Sequence, residues 1–193
     1  QVQNDPVVVL MVDDQTFVGE AVRRLLAPHE DIIFHFIDDP ALAVGKATEV
    51  RPTVVLIDLI MPGIDGIELL GKLRATEAGA TVPVIVLSGE EDSKIKAAAF
   101  ERGANDYVVK LPAAPEMVAR IRHHSRGYSH SLRAKEALEA LEANREMLKL
   151  HSDFLTEIFG RYLSEDVVSD LLATPGGTKL GGNEKWVTIM MAD

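Results

Sequence analysis

Acidic, hydroxyl and lysine side chains follow four short apolar runs of this chain. Carboxylates that lie close together can bind a divalent metal through oxygen, and one of them can attack a phosphoryl group to form an aspartyl phosphate. A hydroxyl group and an ammonium group can bind the oxygens of that phosphoryl group. The five residues, in chain order, are Asp13, Asp14, Asp58, Ser88 and Lys110.

The four apolar runs have the pattern of buried parallel strands. Each run is short and rich in Val or Ile, and each lies between turn residues or helical patterns. Because the carboxyl ends of parallel strands lie at one edge of a sheet, we expect the polar residues that follow the runs to converge there. The runs are Val7–Val12, Val54–Ile57, Val84–Leu87 and Tyr107–Val109.

Helical patterns alternate with these strands and with one further strand, Ile32–Ile37. Five strands and five helices in alternation predict an α/β fold with a doubly wound, five-stranded parallel sheet. Asp39 before Pro40 is a plausible cap for the second helix, and Gly103 is a typical helix stop. The predicted helices are Phe17–Leu26, Ala41–Val50, Gly66–Ala75, Lys94–Arg102 and one that starts near Pro115.

Each of the five polar residues has a simpler explanation when it is considered alone. Asp58 could be a turn or capping aspartate, and Asp13 or Asp14 could cap the helix that follows. A serine at a strand end and a solvated lysine are both common. Their order favours one joint site, because each signal follows a different strand. The acids would repel one another there unless a cation bridged them, and oxygen ligands with open positions suit Mg²⁺.

Composition restricts the other functions of the chain. It has 193 residues, a net charge of −10 and no cysteine. An acidic chain without a basic run argues against nucleic acid or an anionic membrane as a direct partner. No apolar run approaches the ~20 residues of a membrane span, and nothing favours an oxidising compartment. We therefore expect a cytoplasmic protein without disulfides or thiolate metal sites.

The five signals together resemble the receiver domain of two-component response regulators, over residues 1–126. The resemblance implies a flavodoxin-like fold, Mg²⁺ as the cofactor and a sensor histidine kinase as the phosphodonor. Asp58 would be the phosphoacceptor, and Asp13 and Asp14 the acidic pair that binds the metal together with Asp58. The implied roles of the others are metal binding by the backbone carbonyl of Ile60, phosphate binding by Lys110, and switching by Ser88 and Tyr107.

The sequence departs from the family pattern at one position. The family usually has proline directly after the lysine, commonly through a cis bond, whereas here Leu111 stands between Lys110 and Pro112. A cis bond could then occur only at Leu111–Pro112 or Ala114–Pro115. This variant looks like the receivers that are fused to cyclic-dinucleotide synthases.

Residues 127–159 have the pattern of a signalling helix that forms a coiled coil. Apolar residues alternate at three- and four-residue steps if Arg145 and Ser152 are counted as polar seam positions. We expect a homodimer through this helix; the alternative is an amphipathic helix that packs on its own domain. Gly127 marks a possible bend. The seam consists of Leu138, Leu141, Arg145, Leu148, Ser152, Leu155 and Phe159.

Residues 160–193 resemble the entry to a class III nucleotide cyclase domain. The resemblance rests on Phe159–Ser164, on Lys179–Gly182 and on Val187–Asp193, and it implies that Asp193 is one of two metal-binding acids. The other catalytic residues of that family are missing, so we expect this fragment to be an incomplete cyclase, cut from a longer protein. An unstructured linker to another output is the alternative.

These features predict a response regulator in which phosphorylation of Asp58 controls a cyclase through a dimerising helix. One alternative is a receiver that acts by binding alone, with a different output domain. Another is a phosphatase or mutase with an aspartyl nucleophile, but those enzymes usually carry a second aspartate where Ile60 stands. A DNA-binding output is the least expected, given the acidity and the lack of a helix-turn-helix pattern.

Overall fold

The computed structural model of the chain describes residues 6–89, 92–110 and 112–160. Five of its strands form one parallel sheet, and two short strands form a separate antiparallel pair. The strands are β1 (Val7–Val12), β2 (Ile32–Ile37), β3 (Val54–Asp58), β4 (Ile60–Met61), β5 (Ile64–Asp65), β6 (Val84–Ser88) and β7 (Asp106–Val109). The order across the large sheet is β2-β1-β3-β6-β7. This is the flavodoxin-like order, which confirms the predicted fold class.

Helices connect the strands of the large sheet. Asp65 and Asp92 cap two of them by accepting hydrogen bonds from backbone N–H groups of the first turn. The cap predicted at Asp39 precedes a 3₁₀ turn, Pro40–Leu42, rather than the α-helix itself. The helices are α1 (Thr16–Leu26), α2 (Ala43–Val50), α3 (Gly66–Arg74), α4 (Ser93–Glu101) and α5 (Ala114–Gly160).

Alternate residues of the central strands are buried in two different hydrophobic cores, one on each side of the sheet. Val9 and Met11 of β1 pack on one side of the sheet with side chains from α1 and α5. Leu10 and Val12 pack on the other side with α2, α3 and α4. Strands β3 and β6 are buried at every position, as expected of a parallel sheet that is covered on both faces. The near-continuous apolar runs seen in the sequence follow from this double coverage.

Helix α5 is continuous through Gly127 and has 47 residues. Its first turns belong to the sheet domain, where Met117 and Ile121 are fully buried. The described residues divide into two compact units, one that ends at Glu136 and one that begins at Ala137, and the boundary falls within this helix. None of the helices in the described ranges is long and apolar enough to cross a membrane.

Three predicted features lie outside the described residues. They are the conformation of Leu111, the side chain of Phe159 and the cyclase-like segment with Asp193. The bond Leu111–Pro112 is among the undescribed parts, whereas Ala114–Pro115 is trans, since no described peptide bond is cis.

Arg74 at the end of α3 fastens two loops, the one before β6 and the one before β7. Its guanidinium donates hydrogen bonds to the carbonyl oxygens of Gly79, Val82 and Gly103, at distances between 2.6 and 3.3 Å. It also donates to Asn105 Oδ1 at 2.9 Å, and that same oxygen accepts from the N–H of Val84. Because these segments lead into β6 and β7, Arg74 fixes where both strands begin.

We expect Arg74→Met to lower the free energy of unfolding by roughly 3 kcal/mol, because several carbonyl groups lose a charged donor at once. Urea denaturation measures this change. Arg24→Met is the matched control, since Arg24 pairs only with exposed Glu20 and is itself 80% exposed. Its loss should stay below about 0.5 kcal/mol. Equal effects of the two substitutions would show that Arg74 has no clamping role.

Candidate functional site

The carboxyl edge of the large sheet brings the predicted site residues together. Asp13 follows β1, Asp58 and Ser88 are the last residues of β3 and β6, and Lys110 follows β7. Asp13, Asp58 and Ser88 are buried at 0, 1 and 2% exposure. The N–H of Lys110 donates a hydrogen bond to the carbonyl oxygen of Ser88 at 2.6 Å, which joins the last two strands at the site. Apolar packing around the strand ends therefore fixes the positions of these groups.

Asp13, Asp14 and Asp58 form a compact cluster of carboxylates. One oxygen from each lies within 4.8 Å of the others. Asp13 and Asp58 are buried, whereas Asp14 is half-buried. Three oxygen donors at this separation fit a divalent cation that retains several non-protein ligands.

Lys110 compensates part of the negative charge. Its Nζ lies 2.8 Å from Asp58 Oδ2 and 3.1 Å from Asp13 Oδ2. Only 16% of the lysine side chain is exposed, so the two ion pairs are shielded from solvent. Three carboxylates against one ammonium leave the site with excess negative charge.

The pKa values of Asp13 and Lys110 reflect two opposing effects, burial and the contacts between these charged groups. Burial raises the pKa of Asp13 above its ordinary value, although a hydrogen bond from the Gln15 N–H and the contact with Lys110 act in the opposite direction. Burial alone would lower the pKa of Lys110, but its contacts with Asp58 and Asp13 outweigh burial and raise it. The ammonium of Lys110 therefore stays charged, and burial disfavours the charged form of the Asp13 carboxylate beside it.

Three carboxylate oxygens at the site are buried without an aligned hydrogen bond. Asp13 Oδ2 and Asp58 Oδ2 have only the ion pair with Lys110, and Asp14 Oδ1 has no hydrogen-bond partner. A buried oxygen of this kind is costly unless an unseen ligand satisfies it. The three residues that carry these oxygens are the same three that form the carboxylate cluster. Buried oxygen acceptors gathered in this way are what a metal site requires.

A small hairpin, which the sequence reading missed, shapes the loop after Asp58. Strands β4 and β5 pair Ile60 with Asp65 and Met61 with Ile64, and Gly63 in the turn has a φ of +82°. Pro62 followed by Gly63 is a turn signal that could have predicted this hairpin. The N–H of Ile60 points to Asp58 Oδ1 at 3.4 Å, and the Ile60 side chain is 69% exposed.

Gly66 closes this loop against the end of β3. Its N–H donates to the carbonyl oxygen of Leu59 at 2.9 Å. A Cβ atom at position 66 would meet the carbonyl oxygen of Asp58 and the backbone of Leu59 at clashing distances. Only glycine permits this approach, so Gly66 helps to set the position of Asp58.

Tyr107, the predicted switch aromatic, is buried in β7 at 6% exposure. Lys96 Nζ of α4 lies 5.7 Å from the centre of its ring, within the range of a cation–π contact. The same strand leads to Lys110 at the acidic site. A displacement at the end of β7 would therefore reach Tyr107 and α4.

Charged and polar contacts fasten the root of α5 to the sheet. Arg120 Nη1 and His124 Nε2 lie 2.7 and 3.2 Å from Asp106 Oδ2. Arg122, which stands between them in the helix, places its Nη2 2.7 Å from Asp31 Oδ1. The hydrogen bonds from Arg122 hold the pKa of Asp31 below its ordinary value.

A buried hydrogen bond reinforces this attachment. Ser125, which is 2% exposed, donates to Thr53 Oγ1 at 2.7 Å, and Thr53 bonds to the backbone of Val8 in β1. No sequence pattern identified these contacts, because the partners are 72 residues apart along the chain. The sequence offered one indication of this attachment, the presence of basic and serine residues in the first turns of α5.

A scan against family models matches residues 9–122 to the response regulator receiver domain. The curated relatives include the DNA-binding response regulator MtrA of Mycolicibacterium smegmatis, which is 35% identical over 114 residues. That match covers 59% of this chain and 48% of the relative, so the chain spans about half the length of such relatives.

Solved structures give the same match. A protein described as a response regulator from Chloroflexus aurantiacus is 29% identical, with a TM-score of 0.58, and the match covers 63% of this chain and 98% of that one. The receiver domain of a sensor histidine kinase from Pseudomonas aeruginosa is 23% identical, with a TM-score of 0.56 over 62% and 98% of the two chains. That structure contains a magnesium ion coordinated in its active-site cleft.

We expect Gly66→Ala to lower the free energy of unfolding by about 1–3 kcal/mol, because the new methyl group would displace the Asp58 carbonyl. Gly71→Ala is the matched control in the same helix, since a Cβ there meets nothing within 4 Å. It should raise the free energy of unfolding by roughly 0.5–1 kcal/mol. Urea denaturation of both variants provides the test, and stabilisation by Gly66→Ala would contradict the close approach.

Proposed function

The chain belongs to the response regulator receiver family, and we propose that Asp58 accepts a phosphoryl group from the phosphohistidine of a sensor kinase. The proposal rests on the position of the Lys110 ammonium. Its Nζ lies between Asp58 and Asp13 at the buried, acidic carboxyl edge of the sheet. A carboxylate oxygen of Asp58 attacks the phosphorus, the phosphorus–nitrogen bond of the donor breaks, and the imidazole leaves. The product is an aspartyl phosphate.

Mg²⁺ is the cofactor that this donor set favours. Asp14, Asp13 and Asp58 would hold it, together with the backbone carbonyl of Ile60 and water. Their buried oxygens without aligned hydrogen bonds support this assignment, as does the magnesium ion described for the Pseudomonas structure. When bound, Mg²⁺ neutralises the charge that develops on the transferring group.

The remaining site residues would respond to the phosphoryl group. The ammonium of Lys110 would exchange its ion pair with Asp58 for one with a phosphoryl oxygen. The Ser88 hydroxyl would donate to another phosphoryl oxygen. Because β7 joins Lys110 to Tyr107, and Asp106 at its start holds Arg120 and His124 of α5, a change at the site reaches the helix through one short strand.

Helix α5 would pass this change on as part of a homodimer. Its seam residues Leu138, Leu141 and Leu148 are between 55 and 63% exposed, which leaves a long apolar stripe unpartnered within the described ranges. Such a stripe usually marks an interaction surface. Pairing of two parallel helices along the seam would set the geometry of two output domains.

The output that we propose is a class III nucleotide cyclase, which begins in residues 160–193. Catalytic sites of that family form between two chains, so a dimerising helix suits such an output. Production of a cyclic nucleotide from ATP or GTP by the full-length gene product tests this proposal. The second candidate is a DNA-binding output, which the name of the mycobacterial relative favours. Specific binding of duplex DNA without cyclase activity would establish that alternative.

Phosphorylation at Asp58 gives a direct test by intact mass. With Mg²⁺ and a small phosphodonor, we expect one added phosphoryl group on the wild type and none on Asp58→Asn. Asp65→Asn, at the far end of the same loop, is the control and should still gain it. A phosphorylated Asp58→Asn variant would refute the assignment.

Asp14→Ala should weaken Mg²⁺ binding at least ~10-fold, because even the loss of a residue that only contacts a metal ligand costs roughly 10–100-fold in metal affinity.

Arg145→Leu should tighten the homodimer, because it replaces a charged group at the middle of the apolar seam. We expect at least a tenfold lower dissociation constant, equivalent to about 1.4 kcal/mol. Sedimentation equilibrium measures it. Glu146→Leu, which adds an apolar residue on the face of α5 opposite Leu148 and Leu155, is the control and should leave the constant unchanged. A monomeric wild type at tens of micromolar would exclude this dimer.

A further inference from the structure

Strand β7, which leads to Lys110, is the last strand in the order of the large sheet. It pairs with β6 over four residues. Strands β1 and β3, by contrast, have a parallel neighbour on each side. Because Lys110 directly follows β7, the position of its ammonium between Asp58 and Asp13 depends on how firmly this outer strand is held.

A cavity of about 560 Å³ lies beside β7, between α4 and the root of α5. Tyr107 and Val109 line it from the strand, Lys96 from α4 and Arg120 from α5. Tyr107 is nevertheless only 6% exposed, and it belongs to the same hydrophobic cluster as Ala99 of α4. A cavity of this size has room for a phenol ring. Lack of space outside the core therefore does not keep the ring inside it.

The ammonium of Lys96 supplies a contact that favours the buried position of the ring. Its Nζ lies 5.7 Å from the ring centre, within the range of cation–π attraction. For an exposed cation, such a contact corresponds to roughly a two- to fivefold change in an equilibrium constant. Lys96 is exposed, and Ala99 is the one residue of α4 that is buried. Because α4 buries so little, a contact of this size contributes appreciably to holding α4 against β7.

We propose that Lys96 is a positioning residue for phosphoryl transfer to Asp58. The Tyr107 ring exchanges between the core and the cavity, and Lys96 favours the core. The buried ring holds the end of β7, where the Lys110 N–H donates to the carbonyl oxygen of Ser88 at 2.6 Å. When the ring leaves the core, β7 loses its largest buried side chain, and Lys110 is less often in place. The inference rests on the proposed phosphorylation of Asp58.

Fluorine NMR of protein labelled with 3-fluorotyrosine tests the position of the ring. The chain has three tyrosines, and the signal of Tyr107 is assigned by its absence from Tyr107→Phe. We expect Lys96→Met to shift this signal towards that of a tyrosine in water. Lys96→Arg keeps a cation near the ring and should leave the signal unchanged. Lys94→Met is the control, since it removes the same charge from the same helix but Lys94 lines a groove beside Ile60 instead.

Phosphorylation of Asp58 by a small phosphodonor with Mg²⁺ tests the role of Lys96 in the reaction. We expect Lys96→Met to lower the maximal rate about two- to threefold, within the limit set by the strength of such a contact. Lys96→Arg and Lys94→Met should retain the wild-type rate. A loss of overall stability does not change this rate while the protein stays folded. The rate therefore separates a positioning role from a merely structural one.

Substitutions of Tyr107 show whether Lys96 acts through the aromatic ring. In the background of Tyr107→Phe, which keeps the ring, Lys96→Met should lower the rate by the same factor as in the wild type. In the background of Tyr107→Leu, which removes the ring, Lys96→Met should have no further effect, because the contact is already lost. Circular dichroism verifies that each variant is folded, and the phenylalanine background remains informative where the leucine variant does not fold.

Other results would contradict the proposal. If Lys96→Met leaves both the Tyr107 signal and the rate unchanged, Lys96 does not position the ring. An equal loss of rate in Lys94→Met, or in Lys96→Met on the Tyr107→Leu background, would show that the charge acts without the ring. A wild type that gains no phosphoryl group on Asp58 would refute the proposed function and with it the role in the reaction. The fluorine signal would then decide by itself whether Lys96 holds Tyr107.

Discussion

An ammonium group between two buried carboxylates is the contact on which the rest of the receiver site depends. Lys110 Nζ lies within 3.1 Å of both Asp58 and Asp13, at the carboxyl edge of the sheet. Two unit negative charges 4.8 Å apart, the upper limit for the carboxylate oxygens of this cluster, repel by roughly 3–4 kcal/mol at an effective dielectric of 20, so their burial requires a compensating cation. The lysine provides one, and the excess of acids leaves room for a second, divalent one. A site that holds such charges in the absence of phosphate is prepared for a ligand that rearranges them.

Packing of the parallel sheet beneath these charges offsets the free energy that is needed to bring them together. Strands β1, β3 and β6 are packed between two apolar layers, and the charged groups stand only where the strands end. Side chains at the opposite edge, among them Arg74, fix where the strands begin. Because close-packed strands cannot shift individually at low cost, the geometry of the site follows from their register.

Strand β7 connects the acidic site to α5, the proposed signalling helix. Lys110 follows it, Tyr107 is buried within it, and Asp106 at its start holds Arg120 and His124 of α5. Burial alone would raise the pKa of Asp106, but the hydrogen bonds from Arg120, the Tyr107 N–H and His124 outweigh it and lower that pKa. The contact therefore remains an ion pair at neutral pH. In the proposed mechanism, this ion pair links phosphorylation at Asp58 to the position of α5.

The sequence by itself determined the strands, their order and the polar residues at their ends. Buried parallel strands require apolar runs, and a catalytic edge requires polar residues directly after them, so both signals are local. The spacing of the predicted seam of α5 is local as well, but the pairing of two helices along it stays a prediction. The hairpin after Asp58 was missed, although Pro62 followed by Gly63 is a local turn signal. Only the tertiary structure decided the attachment of α5 through Asp31, Thr53 and Asp106, and the clamp of Arg74. Most of these contacts join residues between 14 and 91 positions apart in the chain. No short-range pattern records which distant partner a charged side chain meets once the chain has folded.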